Sequence, residues 1–432
     1  MGLAPIPTFA DATNYPAGAN PWNGQPIKVK PTQAYFVPGT GAAATEANYE
    51  LNLVTNAIKS AMVSAAIANF SAKTLGSALP ITETFGHFAG FVYDVVNSQW
   101  IGAYFESAGN QNGIVGSFDG GRTWRSIFQQ SATTNGNCTA VAINPTTSQV
   151  MMVEDGATNW VSVSITPGGA AVTTTGHHVM TTATAFFLGD SVGIGSGHGF
   201  FFVLYANQVV GNFTGFFEQC AYDGQTITDK TSSLPAYWQG STANHVGALL
   251  SAVGLVGTTP TAVVALCGAT AGTDAPKLLS ITQSAGAPTC TDITPVTLPG
   301  PVTFANLQVR GLTYSANDGL WGLTLNDGAG GHSYVYTSPD LATWTQVLLD
   351  NVYLLTGLAT VGNVWVTSRT TAFSSFPLMS GNVGALGSAA TWTPASTNMA
   401  VTGDGLGGLF SNGGQLVAAS DTAVVVSYQV GV

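Results

Sequence analysis

Charge is what this sequence has least of. Of its 432 residues, 10 are Lys or Arg and 21 are Asp or Glu, 7% together, against roughly 25% in an average soluble domain. Its surface must therefore be made from Ser, Thr, Asn, Gln and Gly rather than from ion pairs. Hydrophobic residues make up 45%, which excludes charge-driven disorder. The net charge is −11, and the only arginines are Arg122, Arg125, Arg310 and Arg369. Phosphate neutralisation needs clustered cations, so nucleic acid is excluded as a partner and an anionic membrane surface is disfavoured.

Cysteine is also scarce. Cys138, Cys220, Cys267 and Cys290 stand far apart, with Cys267 and Cys290 the nearest pair. No zinc-type spacing exists, and all four read as buried small hydrophobes. No long apolar run is uninterrupted. The stretch from Gly247 to Gly268 is broken at Gly254 and again at Gly257 to Pro260. It predicts two buried strands joined by a turn rather than a membrane span. The opening residues Met1 to Pro5 lack a basic segment followed by an apolar one, so no secretory signal is expected. Glycine is abundant at 53 residues, without the three-residue period of collagen.

The chain divides near residue 78. Residues 1–78 form a Pro/Asn/Gly-rich lead and one predicted helix, about 45–71. Thr45 suits its cap, and Glu46 and Glu50 suit its positive end. Leu51, Val54, Ile58 and Met62 make one apolar stripe. That stripe packs either on its own domain or on copies of itself. Residues 79–432 show no helical period, only short β-rich segments between Gly, Asn, Asp and Thr turns.

This second region repeats. Ser117-Phe118-Asp119-Gly120-Gly121-Arg122-Thr123-Trp124 returns as Ser338-Pro339-Asp340-Leu341-Ala342-Thr343-Trp344, and a faded copy ends at Thr391-Trp392-Thr393. Lead-ins holding Trp100, Trp321 and Trp365 precede them. Turns near Thr166-Pro167-Gly168, Tyr222-Asp223-Gly224 and Ser284-Ala285-Gly286 fill the interval. The anchors fall near 124, 172, 227, 290, 344 and 392. Several short strands per repeat, at steps of about 50 residues, predict a β-propeller. Seven blades are counted, with six as the alternative. Strands from Gly408 to Gln429 form most of a last blade, which a strand near Leu79 to Phe85 would complete. Within the repeat, Asp119 and Asp340 are placed to accept backbone N–H groups of their own turn, Gly121 to take positive φ, Ser117, Ser338, Thr123 and Thr343 to frame it, and Trp124 and Trp344 to pack beneath.

These repeats resemble the Asp-box, the bacterial neuraminidase repeat of sialidases and many non-enzymatic propellers. The second copy departs from it, with Leu341-Ala342 at the glycine positions. The segment from Pro21-Trp22-Asn23-Gly24-Gln25-Pro26 through Lys28-Val29-Lys30-Pro31 to Tyr35-Phe36-Val37-Pro38-Gly39, and on into the predicted helix, is similar to the start of tailed-bacteriophage tail-fibre and appendage proteins. That resemblance covers a small part of the chain and implies a virion structural protein. Trp22, Pro26, Tyr35, Phe36 and Pro38, with Leu51, Val54 and Ile58, would attach it and assemble a homo-oligomer, a trimer by analogy with fibres. Its partners would be other tail or capsid proteins and a host receptor or glycan, and its location the particle. The alternative reading is an arm wrapped on its own propeller.

Catalytic constellations are sparse. A sialidase needs three converging arginines, and Arg122 and Arg125 sit at the repeat turn, which leaves one too few. Glu154-Asp155 read as a strand end before Gly156, and Glu83, Glu106 and Glu218 are isolated. His177, His178 and His198 form the one local histidine group, without metal-ligand spacing. Asn317-Asp318-Gly319 and Asn326-Asp327-Gly328 read as hairpin tips. No nucleophile elbow or nucleotide loop appears, so no cofactor is expected. Tyr237 and Trp238 are the candidate sugar-stacking pair, with inter-blade packing as their rival role. The expectation is a non-enzymatic virion appendage displaying a propeller. The alternatives are a glycan-degrading propeller enzyme and a secreted or cell-surface carbohydrate-binding propeller.

Overall fold

A computed structural model describes residues 28–30, 33–35, 71–74 and 85–429. Within the last span, the connections at 107–110, 122, 131–137, 145–146, 155–160, 166–171, 176–187, 191–199, 210–211, 222–224, 240–241, 244–248, 269–274, 285–286, 301, 328–330, 353, 362–363, 370–377, 382–391, 396–405 and 421–423 lie outside the described residues. The chain divides into two units, Met1–Met62 and Val63–Val432. In the first, β1 (Lys28–Lys30) and β2 (Gln33–Tyr35) form an antiparallel hairpin around Pro31-Thr32. The predicted helix at 45–71 falls outside the described residues, except Ser71, which begins a strand.

The second unit is built from four-stranded antiparallel meanders, seven of them among the described residues. The first contains β4 (Phe85–Asp94), β5 (Gln99–Glu106), β6 (Gln111–Ser117) and β7 (Arg125–Gln129). The second contains β8 (Cys138–Ile143), β9 (Val150–Glu154), β10 (Val161–Ile165) and β11 (Val172–Thr175). The third contains β12 (Leu188–Asp190), β13 (Phe200–Val209), β14 (Asn212–Ala221) and β15 (Ile227–Asp229), with β16 (Thr242–Ala243) added beside β14. The fourth contains β17 (Leu249–Val256), β18 (Thr259–Leu266), β19 (Lys277–Ser284) and β20 (Ala287–Asp292). Its first two strands turn at Gly257-Thr258, as expected of the Gly247–Gly268 stretch.

The fifth contains β21 (Gln308–Ser315), β22 (Leu320–Asp327), β23 (His332–Ser338) and β24 (Thr345–Asp350). The sixth contains β25 (Leu355–Val361), β26 (Val364–Arg369), β27 (Leu378–Gly381) and β28 (Thr393–Ala395). The last joins β29 (Leu406–Ser411), β30 (Gln415–Ser420) and β31 (Val424–Gln429) to β3 (Ser71–Thr74).

The first strands of successive sheets touch one another in a closed cycle, β4–β8–β12–β17–β21–β25–β29–β4. Sheets in radial order around an axis, each starting at its inner strand, make a β-propeller. Blade seven is closed by β3, whose Ser71 pairs with Ser427. The closing strand therefore lies before the expected Leu79–Phe85, and Phe85 instead opens β4. The boundary drawn at 78/79 cuts this strand from its blade.

The core lies between blades. One cluster joins Val263, Ala265 and Leu278 of blade four to Trp321, Leu323 and Tyr336 of blade five. All four cysteines are free thiols, and Cys138, Cys220 and Cys267 are buried as expected, while Cys290 is half-buried. Close approach demands glycine at particular positions. A Cβ on Gly311 would lie 2.6 Å from the backbone carbon of Gly357 in the next blade, and one on Gly322 would lie 2.3 Å from the Trp365 ring.

Blades are also pinned by hydrogen bonds at the end carrying the first turn of each meander. Trp100 Nε1 donates to Gln415 Oε1 at 2.7 Å, Trp321 Nε1 to Leu255 O at 3.0 Å, and Trp365 Nε1 to Asp318 Oδ2 at 2.8 Å. Ser148 Oγ donates to Asp94 Oδ1 at 2.6 Å, and Ser411 Oγ to Thr360 O. In these five bonds the later blade around the ring donates and the earlier blade accepts, while Asn97 Nδ2 of blade one donates the other way, to Ser148 Oγ of blade two at 3.0 Å. The three tryptophans are the lead-in residues of the repeat, each second in its strand.

Candidate functional site

The two Ser-x-Asp turns connect the third and fourth strands of blades one and five. Asp119 accepts from Ser117 Oγ (2.9 Å), Thr123 N (2.8 Å) and Thr123 Oγ1 (2.6 Å), and Gly121 N donates to Ser117 Oγ at 2.8 Å. Trp124 is buried and returns its indole N–H to Gly121 O at 3.0 Å. Asp340 accepts from Ser338 Oγ (3.1 Å), Ala342 N (2.9 Å), Thr343 N (2.6 Å) and Thr343 Oγ1 (3.1 Å). The Thr343 N–H leads in holding the Asp340 carboxyl below its ordinary value, against a smaller opposing effect of burial. Gly120 and Gly121 take φ 73° and 85°, and Leu341 takes φ 65° in the second copy. A left-handed leucine costs about 1–2 kcal/mol, and this one is offset by burying its side chain in the blade-four/five core with Trp344. Each of these hydrogen bonds closes within its own turn, while the buried Trp344 indole N–H has no partner among the described residues.

The other expected residues scatter. Tyr35 ends β2, while Trp22, Pro26, Phe36, Pro38, Leu51, Val54 and Ile58 lie outside the described residues. Tyr237 is half-buried, with Lys277 Nζ 4.6 Å above its ring. Trp238 is 0% exposed, packed between Phe217 of blade three and Leu279 of blade four. An indole with no accessible face cannot stack on a sugar, so the sugar-contact assignment of Trp238 is corrected to inter-blade packing. Arg125 lies 4.2 Å over the Phe118 ring, and Arg310 donates to Gln308 Oε1 at 2.7 Å. These two arginines occupy opposite ends of their blades and do not converge. His177, His178, His198 and Asp155 lie outside the described residues. Among the described residues no three His, Cys, Asp or Glu side chains gather as a metal site.

What the ring does bring together is a cavity of about 390 Å³ on the axis. Its walls are the inner strands of blades one, four, five, six and seven, around Phe91, 251–253, 312–317, 358–360 and 409–413. Inclusion of 315–317 and 411–413 places it at the first-turn end of the blades. Among the described residues, the lining holds no Lys, Arg, His, Asp, Glu or Cys. Some of its polar groups are committed to the fold. Ser315 Oγ donates to Asp318 Oδ2 at 2.9 Å, and Asn412 Oδ1 accepts from Gly414 N and Gln415 N. Among the described residues, the hydroxyls of Ser251, Thr313 and Thr360, three residues of the lining, make no protein hydrogen bond. Three aromatic residues, Phe91, Tyr314 and Phe410, complete it. Tyr314 packs on Trp321 with centroids 4.9 Å apart, and Phe410 on Phe91 at 5.5 Å. Tyr314 has room because Gly254 stands opposite, where a Cβ would lie 2.2 Å from its ring.

Sequence reasoning did not single out these residues. They come from five blades, and hydroxyls on separate strands carry no shared motif. Two further devices were missed. Asp94 gathers Val96 N, Asn97 N, Asn97 Nδ2, Gln99 Nε2 and Ser148 Oγ around one buried carboxylate. Thr228-Asp229-Lys230-Thr231 and Thr291-Asp292-Ile293-Thr294 end blades three and four in the same way. In each, Asp accepts the second Thr N–H (2.8 and 2.9 Å), and that Thr hydroxyl accepts a strand N–H from Phe217 (3.1 Å) or Leu278 (3.0 Å). That repeat is readable in the sequence.

No protein-family model matches the chain, and no curated protein sequence matches it. Among solved structures, it is similar to prolyl oligopeptidase B from Galerina marginata at 10% identity and a TM-score of 0.44, covering 71% of this chain and 41% of that one. The Dos1 propeller shares 10% identity at a TM-score of 0.48, over 82% of this chain and 83% of that. BamB from Moraxella catarrhalis shares 12% at 0.42, over 83% and 98%. What this chain is follows from its own strand order: it is a β-propeller. The roles of those proteins carry nothing over to it.

Proposed function

We propose that this propeller is a non-enzymatic display module of a phage virion appendage, held to the particle by the N-terminal unit and presenting its ring to a host-surface receptor. The observation that carries this reading is the route by which the chain enters the propeller. β3 is the outermost strand of blade seven, so the segment preceding Ser71 is joined to the rim through a hydrogen-bonded strand pair. A pull on that segment is delivered to a sheet rather than to a loose loop, which suits a subunit that bears load at a particle surface. The Asp-box-like turns and the appendage-like stretch from Trp22 to Pro38 favour the same reading. Its partners are then other tail or capsid proteins and further copies of the chain, and its place is the virion.

The competing reading, a glycan-degrading propeller, calls for two convergent carboxylates in the axial cleft. Among the described residues, the cavity lining holds no Asp or Glu. The test is mass spectrometry of purified particles made by the host that carries this gene, with light scattering of the full chain. The expected result is the chain present in stoichiometric amount, as a discrete oligomer in solution. Particles that lack it would overturn the appendage role. Release of reducing ends from host polysaccharide by the purified chain would favour the enzyme.

A further inference from the structure

We infer that the rings dock on one another end to end, with the first-turn corner of blade one in one copy seated on the opposite end of blade five in the next. This goes beyond the display reading. It is also a different contact from the homo-oligomer expected of the N-terminal residues, because both of its halves lie on the propeller.

The first half is a departure within a repeat. In an antiparallel meander the first and third turns stand at the same end. The first turn of blade one, Asp94 to Gln99, shares its build with that of blade two, Asn144 to Gln149. In each, the leading side chain accepts the N–H three residues on, and the serine before the glutamine takes positive φ, 52° at Ser98 and 60° at Ser148. Blade two has Pro145-Thr146 at the tip, and blade one has Val95-Val96, which are 66% and 56% exposed. The third turn shows the same contrast. Where blade five has Pro339 and Thr345, blade one has Phe118, 51% exposed, and Arg125, also exposed and 4.2 Å over the Phe118 ring. The turns form without these side chains, so turn formation does not explain two valines, a phenylalanine and an arginine held in water. The two turns stand about 10 Å apart, two strand spacings, at one corner of the blade. Grouped exposed apolar residues mark interaction sites, and aromatics and arginine are the commonest anchors there.

The second half lies at the other end of the ring. β24 runs away from the Asp340 turn, ends at Asp350 and passes into the connection to β25. Along this path Leu349, Val352 and Leu354 are 36%, 72% and 36% exposed. The Val352 N–H donates to Asp350 Oδ1 at 2.8 Å, which fixes the backbone of the displayed residue. The second turn of blade five brings Asp327 to the same end, half-buried and 3.6 Å from His332 Nδ1.

Charge selects the pairing. Copies at −11 repel one another overall, so a contact between them must join apolar surface where the local charges are opposite. The blade-one corner on its own equivalent would set Arg125 against Arg125. The blade-five end on its own equivalent would set Asp327 against Asp327. One on the other sets three apolar residues against three, with a guanidinium on one side and a carboxylate on the other. Such a contact is heterologous, so every docked copy still presents one patch of each kind and the stack can grow. Blade five lies about half a turn round the ring from blade one, so successive rings are rotated by about half a turn.

The experiment uses the full chain. Sedimentation velocity and light scattering are measured from about 1 to 100 µM, the range of moderate protein contacts. The expected result is an average mass that climbs with concentration. Phe118→Ser and Val352→Ser should each weaken association about tenfold, the loss of one buried apolar side chain. An equimolar mixture of the two should associate more strongly than either alone, because each supplies the patch that the other lacks. Melting temperature reports whether each variant folds. Should Phe118→Ser melt lower, Val96→Ser in the neighbouring turn carries the test. A mass that stays constant across the range, as a closed assembly through the N-terminal unit would give, overturns the inference. So does undiminished association of the variants, or a mixture no heavier than its components. None of these outcomes alters whether the chain is found in purified particles, so failure of the stack and failure of the appendage reading are separable.

Discussion

Trp365 Nε1 donates to Asp318 Oδ2 at 2.8 Å across the boundary between blades six and five, and the same carboxylate oxygen takes Ser315 Oγ at 2.9 Å. The indole is 0% exposed. It therefore has no water to fall back on if Asp318 is lost. Asp318→Ala should cost about 1–3 kcal/mol, the penalty of a buried donor left unpaired. Asp318→Asn, which keeps an acceptor oxygen, should cost less. Denaturant unfolding of the two variants beside wild type measures the difference, and equal stability of Asp318→Ala and wild type would remove this bond from the account of blade docking.

Acid should loosen the ring at two carboxylates. Burial pushes the Asp94 carboxyl up, but Ser148, Asn97 and Gln99 together outweigh it and hold it below its ordinary value. Asp340 is held low mainly by the Thr343 N–H. A depressed folded-state value means stability that is complete above the unfolded value, about 3.9 for aspartate, and lost as pH falls through the folded one. Melting temperature should thus be flat near neutrality and fall below about pH 4. Asp94→Asn should start lower and show a shallower acid slope, since one of the titrating groups is gone. A slope identical to wild type would exclude Asp94 as a contributor.

Two glycines separate steric causes. In Gly311→Ala the new Cβ meets backbone, 2.6 Å from Gly357 C and 2.8 Å from Leu358 N, whereas in Gly322→Ala it meets side-chain ring atoms at 2.3 Å. Side chains can shift and a neighbouring strand cannot. Gly322→Ala should cost about 1–3 kcal/mol, as overpacking does, and Gly311→Ala should cost more. Thermal unfolding ranks them, and the reverse order would mean that blades five and six separate easily.

Truncation tests ring closure. A chain started at residue 80 loses Ser71–Thr74 and leaves the outer edge of β31 unpaired. A chain started at residue 63 keeps the pair. The first should melt lower and aggregate through its open edge, and the second should match the full chain. If both behave alike, β3 does not contribute to the ring.

Much of this fold was legible because its repeat is local. The anchors near 124, 172, 227, 290, 344 and 392 fall at or beside the fourth strand of blades one to six, since each marks the tight turn before it. Turn chemistry such as Asp119 with Gly121 must be written in adjacent residues. The Trp100, Trp321 and Trp365 lead-ins were visible for the same reason, as second residues of second strands, but their acceptors were not. Gln415 lies 315 residues from Trp100, and no local pattern encodes such a partner.

The closing strand was misplaced on the same physics. Ser71-Ala72-Lys73-Thr74 has neither alternation nor a β-branched run, and what makes it a strand is β31, near the opposite end of the chain. The cavity residues are harder still, because Ser251, Thr313 and Thr360 stand on three separate blades and line one cavity only once the ring is assembled. Trp238 erred the other way. An aromatic beside Tyr237 reads equally as ligand contact or core, and only burial decides.

The pairing of β3 with β31 also sets an order of events during synthesis. Ser71 emerges from the ribosome long before Ser427, its partner. Blades one to six can form in turn from neighbours in sequence, while the early strand waits for the late one. Until then blade seven has three strands or none, and the gap between blades six and one is open. Such a waiting edge can accept β3 of another nascent chain as readily as its own. Dense translation of one message therefore favours exchanged rings, and dilution or slow elongation favours self-closed ones.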